Sequence, residues 1–363
     1  MYLPPEIGCL FYHYDSHSQR STIPQNHLHP QKNQHHSHQA HPGPRILVRF
    51  RVHQSSYYLT STFVHLADLQ MSFPPPTANG SAAADLAVFM HPSTPWDTEW
   101  YTSDPPMPPH LNGSPEIRST FSFGPSDARG AVLFSDLSMC WFSVTSGNWR
   151  TAATRWARFR PCPEPLSGPA LQQAAATHGA AVAAFAERAA TSGRPVASGE
   201  CWDVAYEALV YAGSLVAPHD APILSVSRAH GHLLFYGKPG VGRWRGGDDR
   251  LRAGDIVEWR SVRIDDAQYG RFTILGEPDH TAVLVKDAVP RCAVADGESV
   301  KPADVGVLTI VDQSPGRAPR RESYDLAKLQ QGEIWVYRPV GMVEYLGSTL
   351  SVDVPPGLEV FAI

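Results

Sequence analysis

The residues that most limit how this chain can fold are Ser198-Gly199-Glu200-Cys201-Trp202-Asp203-Val204-Ala205-Tyr206-Glu207-Ala208-Leu209. Small and polar residues give way to a cysteine, and Trp202, Ala205, Tyr206 and Leu209 then fall at i, i+3, i+4 and i+7, the spacing of one helical face. The pattern predicts a helix that opens at Cys201, with Trp202 and Tyr206 in the core. At such an end, unpaired backbone N–H groups and the positive pole of the helix dipole favour a thiolate over a thiol. Asp203 in the first turn works against this, since a nearby carboxylate disfavours a second negative charge. The cysteine is a usable nucleophile only if the chain also supplies a base and a group to orient it.

Bulk properties narrow the classes. With 363 residues, 42% of them hydrophobic, the chain can build two domains with their own cores. A formal charge of -5 provides no basic field, which argues against nucleic acid as a partner. There is no run of about 18 apolar residues and no signal-peptide pattern near Met1, so no membrane span is expected. Cys9, Cys140, Cys162, Cys201 and Cys292 are scattered, with no CxxC pair and no disulfide-framework spacing. These features together predict a cytoplasmic protein, with Cys140 and Cys292 structural or incidental.

Composition shifts divide the chain. Residues 1–70 read as a disordered His/Pro-rich segment, with one strand permitted by the alternation over Arg45–Val52. The histidines crowded there (His13, His17, His27, His29, His35, His36, His38 and His41) have no fixed geometry, and no metal site or cofactor is expected. Met71-Ser72-Phe73-Pro74-Pro75-Pro76 reads as a fresh start. Residues 71–165 suggest a small β-rich unit, with strands over 119–123, 131–134 and 138–144, while Pro105–Pro109 reads as a surface loop. A connecting helix is expected within 166–194, with Leu171, Ala175, Val182 and Phe185 near one face. From 195 to 345 the Cys201 helix is followed by strands over 256–259, 280–285, 307–312 and 333–337, and 346–363 is a C-terminal extension. A helix followed by successive antiparallel strands is an α+β arrangement, the helix packed on the sheet.

Among the later histidines, His219, His230 and His232 lie in a Pro/Gly-rich connecting region, whereas His280 opens an apolar strand, a rigid yet reachable position for a general base. In the third strand Asp312 and Ser314 share one face and Gln313 points to the other. Asp312 is the expected orienter of His280, with Gln313 in that role if the register differs by one.

In order, Gly199-Glu200-Cys201-Trp202-Asp203, Gly254-Asp255-Ile256-Val257-Glu258-Trp259, His280-Thr281-Ala282-Val283-Leu284-Val285 and Asp312-Gln313-Ser314 resemble the motifs of papain-like NlpC and CHAP domains. With the closing Leu329-Gln330-Gln331-Gly332-Glu333-Ile334-Trp335-Val336-Tyr337-Arg338-Pro339, the chain is most similar to the cysteine-proteinase-fold domain at the C-terminus of the fungal BBC/AIM-type actin-patch proteins. The resemblance implies a papain-like fold and thiol-dependent hydrolysis or acyl transfer at an amide or ester of a peptide or protein substrate. Cys201, His280 and Asp312 would then be catalytic, with Gln313 and Ser314 auxiliary. CHAP domains carry Glu-x-Asn where this chain has Asp312-x-Ser314, so the amide's role passes to a hydroxyl. The competing expectation is an inactive interaction module that meets cortical actin-associated proteins of the endocytic machinery.

Overall fold

The computed structural model describes residues 81–96, 100, 108–111, 117–124, 127–145, 154–266 and 271–362. The segment 1–70 with its expected strand over 45–52, the restart at 71–76 and most of the proline cluster at 105–109 lie outside the described residues.

Helix α1 (Ala82–Met90) starts at Ser81, whose hydroxyl accepts a hydrogen bond from Ala84 N at 3.1 Å. Four strands follow as an antiparallel meander: β1 (Ile117–Phe123), β2 (Asp127–Phe134), β3 (Met139–Thr145) and β4 (Thr154–Arg160). The two central strands are apolar at most positions because both sides of the sheet are covered. Val132, Phe134, Cys140, Phe142 and Val144 pack with Leu86 and Met90 of α1. Ala131, Leu133, Met139 and Trp141 pack instead with Ile223, Val226, Val340 and Leu346. Opposite Phe142 stands Gly130, where a Cβ would lie 2.5 Å from the Phe142 ring, so only glycine lets that ring lie across its neighbour strand. Residues near the C-terminus line the same sheet: Trp141 Nε1 donates to Ser351 O at 3.0 Å and Phe361 N to Ala157 O at 2.9 Å.

Residues 166–194 do more than connect. Helix α2 (Gly168–Ala174) leads through a π turn (Ala175–Gly179) into α3 (Ala180–Ser192). Leu171, Val182 and Phe185, expected on one face, serve different cores: Leu171 enters the main sheet core, whereas Val182 and Phe185 join the helix core beside the next helix, α4 (Cys201–Ser214). The buried side of α4 is Val204, Ala205, Ala208, Leu209 and Ala212. It is rotated from the expected face, and Trp202 and Tyr206 are only half-buried, stacked on each other at 4.5 Å along the helix flank.

The second sheet has seven antiparallel strands in the order β10-β9-β8-β7-β11-β5-β6. Its members are β5 (His232–Lys238), β6 (Val241–Trp244), β7 (Ile256–Asp266), β8 (Arg271–Leu284), β9 (Val307–Ser314), β10 (Arg317–Asp325) and β11 (Leu329–Arg338). Two short helices, α5 (Pro302–Val305) and α6 (Met342–Leu346), flank β9 and follow β11. The expected strands 256–259, 307–312 and 333–337 fall within β7, β9 and β11, and 280–285 overlaps β8, which ends at Leu284. β5 arises where the sequence reads as Pro/Gly-rich connection, because Leu234 and Phe235 are fully buried beside β11. Ile256, Val283 and Val311 face the helices α3 and α4, while Val257, Trp259, Ala282, Leu284 and Ile310 face the main core. The turn into β7 passes directly against the end of the π turn. Gly254 has φ +95°, and a Cβ there would meet Gly179 O at 2.1 Å.

A buried charge cluster ties these parts together. Arg338, at the end of β11, is fully buried. Its Nε donates to Asp255 Oδ1 at 2.6 Å and its Nη2 to Asp255 Oδ2 at 2.9 Å; Nη1 donates to Leu171 O at 3.0 Å and also to Asp248. Arg252 completes a neutral quartet by donating to Asp248 at 2.7 and 2.8 Å. Burial opposes ionisation of Asp248, but hydrogen bonds from the two guanidiniums hold its carboxyl well below the usual range. Removing one member strands buried charge, which typically costs about 3–5 kcal/mol. Arg338→Ala is therefore expected to lower the unfolding free energy by about that much in urea titrations, and a loss below about 1 kcal/mol would show that the quartet contributes nothing net.

Candidate active site

Cys201 is the first residue of α4, and the turn before it is pinned from the sheet. The Gln313 side chain makes three hydrogen bonds to backbone there: its Oε1 accepts from Val196 N at 2.9 Å, and its Nε2 donates to Val196 O at 3.0 Å and Glu200 O at 2.7 Å. Asp203 caps the same turn, its Oδ2 accepting from Glu200 N at 3.0 Å and Ser198 Oγ at 2.7 Å. The carboxylate expected to oppose a thiolate is thus engaged as the cap of the helix that carries the thiol.

His280 does not open its strand. It lies well inside β8, opposite Trp259 in register, just after the cis Glu277–Pro278 bond. What opens is the ladder to β9, in which only Val283 pairs with Val311 and Leu284 with Ile310. Beyond that point β8 and β9 no longer pair, and the side chains of His280 and Asp312 meet in the resulting slot. His280 Nε2 is 2.7 Å from Asp312 Oδ2, with both residues buried. Cys201, at the start of α4, is the other group that acts on the ring, and with Asp312 on Nε2 it is Nδ1 that remains free to serve the thiol. Burial pushes His280 down, but the Asp312 hydrogen bond, the Cys201 hydrogen bond and the charges of both partners outweigh it and raise the imidazole to about 9. The slot thus brings together a half-exposed thiol, an imidazole that favours its charged form near neutral pH, and a carboxylate held against the far side of the ring.

The other sequence-predicted residues separate. Gln313 and Asp312 are not alternatives, because the strand alternation lets Asp312 hold the histidine while Gln313 holds the helix. Ser314 sits at the β9–β10 turn, paired with Arg317, and among the described residues its side chain makes no hydrogen bond to Cys201, His280 or Asp312. His219 is exposed beside Asp220. His232 is buried, accepts from Leu166 N at 3.0 Å, and is driven down to about 3 by desolvation and by the charges of Arg245 and Arg338. A depression lined by Lys286, Asp287, Arg291 and Thr309 lies beyond the C-terminal end of β8 and includes none of the three residues of the slot.

One network went unread in the sequence. Ser225 Oγ lies 2.7 Å from His230 Nδ1, and His230 Nε2 lies 2.7 Å from Glu258 Oε1, which also accepts from Thr281 Oγ1. Glu258 interrupts the apolar run Ile256-Val257-Glu258-Trp259, and a carboxylate in a buried strand needs a partner. That interruption was the available signal. Burial pushes the Glu258 carboxyl up, opposed by its bonds to His230 and Thr281.

The family model of the AIM3/BBC1 cysteine proteinase-fold domain matches residues 156–350, more than half of the chain. The chain belongs to this family. It is also 26% identical over 287 residues to Altered inheritance of mitochondria protein 3 of Debaryomyces hansenii. The alignment covers 73% of this chain and 28% of that fungal protein, so the chain spans little more than a quarter of its relative. No solved structure matches. The α+β fold of helices and antiparallel sheets is thus that of an AIM3/BBC1 cysteine proteinase-fold domain, and no helix among the described residues is long and apolar enough to cross a membrane.

The imidazole of this domain carries a pH signature. A histidine raised from about 6.5 in the unfolded chain to about 9 in the folded one stabilises the fold fully below about pH 6.5, and that contribution disappears as pH rises through about 9. Urea unfolding of the wild type against His280→Gln is expected to show an advantage of up to roughly 3 kcal/mol at pH 6 that shrinks toward zero by pH 10. An advantage that grows with pH would contradict the assignment.

Proposed function

We propose that this AIM3/BBC1-family domain is a thiol-dependent hydrolase or acyltransferase acting on an amide or ester bond of a peptide or protein, in the manner of NlpC and CHAP domains. One observation carries this reading: His280 Nε2 lies 2.7 Å from Asp312 Oδ2, and Cys201, at the start of α4, acts together with Asp312 to raise the ring.

In this reading the Cys201 sulfur, as thiolate, attacks the substrate carbonyl and forms the C–S bond. The developing oxyanion accepts from backbone N–H groups at the start of α4, which have no partner within the helix. His280, protonated at Nδ1, gives its proton to the departing amine or alcohol as the C–N or C–O bond breaks, leaving a thioester. Neutral His280 then takes a proton from water or from an acceptor nucleophile, whose attack releases the acyl group and restores the thiolate and imidazolium. Asp312 fixes the ring through Nε2 and stabilises its charge. Gln313 holds the turn that presents Cys201. A reducing cytoplasm suits a site that needs a free thiol, and Cys140, Cys162, Cys201 and Cys292 are all unbridged. A second reading, which rests on the resemblance to the fungal BBC/AIM-type actin-patch proteins, is a non-catalytic module of the cortical actin and endocytic machinery.

Iodoacetamide labelling followed peptide by peptide separates the two. At pH 6 to 7, Cys201 is expected to react at least tenfold faster than Cys292, which is exposed, and His280→Ala should remove that excess. An acyl adduct on Cys201 after incubation with peptide esters, absent in Cys201→Ser, would identify the chemistry. Equal labelling of Cys201 in wild type and His280→Ala would favour the interaction module.

A further inference from the structure

We propose that the hairpin Ser225–His230 is a clamp that sets the spacing between Cys201 and His280, with Arg228, His230 and Glu258 as positioning residues. The inference rests on the catalytic reading of the Cys201–His280 pair.

The hairpin is tight. Val226 N donates to Ala229 O at 2.9 Å and Ala229 N to Val226 O at 3.0 Å, which puts Ser227 and Arg228 at the tip. Ser227 has φ +53°, a left-handed conformation uncommon for a residue with a Cβ, and such conformations persist only where the surroundings hold them. Here its carbonyl accepts from Trp202 Nε1 at 2.9 Å. The next residue, Arg228, donates through Nη1 to Asp279 Oδ1 at 3.0 Å. Adjacent tip residues therefore grip the residue after Cys201 and the residue before His280. These two elements are far apart in sequence, and their spacing decides whether sulfur and imidazole meet.

The base of the hairpin grips the other side of the histidine. Ser225, His230 and Glu258 form a hydrogen-bonded line that ends on the Thr281 hydroxyl, so His280 is bracketed at both neighbours. This Ser-His-Glu line is not a second hydrolytic site. Ser225 is 2% exposed, His230 0% and Glu258 1%, so no substrate reaches it. A buried, multiply bonded line of this kind resists displacement, because any shift leaves a polar group unpaired in the interior. From the four-stranded sheet Arg118 adds a bond to Ser225 O at 3.4 Å and lies over the Tyr206 ring at 5.7 Å, bracing the hairpin against α4.

The test uses the full chain carrying Trp202→Phe together with Arg228→Ala, which removes both grips of the tip while keeping an aromatic ring. Two readouts are needed: the iodoacetamide rate of Cys201 at pH 7, normalised to Cys292 in the same sample, and the NMR titration of the His280 ring. The clamp predicts a Cys201 rate about tenfold lower, consistent with the steep dependence of reactivity on alignment. It also predicts an imidazole titration moved from about 9 toward its ordinary 6.5, since Cys201 is one of the groups that raise it. The melting temperature should move by less than about 4 °C. Arg228→Lys with native Trp202, which can keep the ion pair, should return both readouts most of the way. If the double variant does not fold, Arg228→Ala alone and Glu258→Gln provide the same readouts. Wild-type rate and titration in the folded variants would overturn the clamp. If His280→Ala leaves the wild-type Cys201 rate unchanged, the catalytic reading fails, while the His280 titration still reports on the clamp separately.

Discussion

The guanidinium of Arg338 is the contact on which most of the fold converges. It closes β11, neutralises Asp255 at the entrance to β7, reaches Asp248 in the preceding loop and bonds the α2 carbonyl of Leu171. Each partner comes from a different part of the chain, and none could be buried alone, because an isolated charge in the interior is strongly disfavoured. Once Arg338 is seated, the order of the central strands and the placing of the preceding helix are constrained together. Gly254 and Gly179 then allow the turn and the helix to cross without a gap.

The candidate site grows out of this frame through an interruption of regular structure. The β8–β9 ladder pairs Val283 with Val311 and Leu284 with Ile310, and His280 and Asp312 lie past its end, where their side chains meet at 2.7 Å. Adjacent residues of β9 then do separate jobs by simple alternation: Asp312 turns to the imidazole and Gln313 to the turn before Cys201. The carboxylate that holds the imidazole and the amide that anchors the helix are one residue apart, so neither can be displaced without moving the other.

Much of this was legible beforehand. The Cys201 helix, the strands carrying His280 and Asp312, and the family resemblance are written in local residue order. Local order failed where burial, not periodicity, decided the outcome. The core face of α4 turned away from Trp202 and Tyr206 because small alanines allow close approach to the sheet, and large rings are left to its flank. β5 was hidden by neighbouring glycines and prolines, and an irregularity at Leu234 in its pairing with β11 breaks its alternation. The sequence around His230 reads as a loop, although Glu258 in an apolar strand signals that a buried partner is needed.

The sequence by itself determined that a cysteine begins a helix, that a histidine and an Asp-Gln pair follow on strands, and that this order belongs to a cysteine-proteinase-fold family. Local propensity and hydrophobic spacing act over a few residues and are readable from one chain. Only the tertiary structure decided that Asp312 and Gln313 serve together, that Ser314 stands at a turn, and that a hairpin centred on Ser227 and Arg228 joins the cysteine's element to the histidine's. Those outcomes depend on contacts between residues dozens of positions apart, where pairing register and the need to satisfy buried polar groups outweigh any local preference.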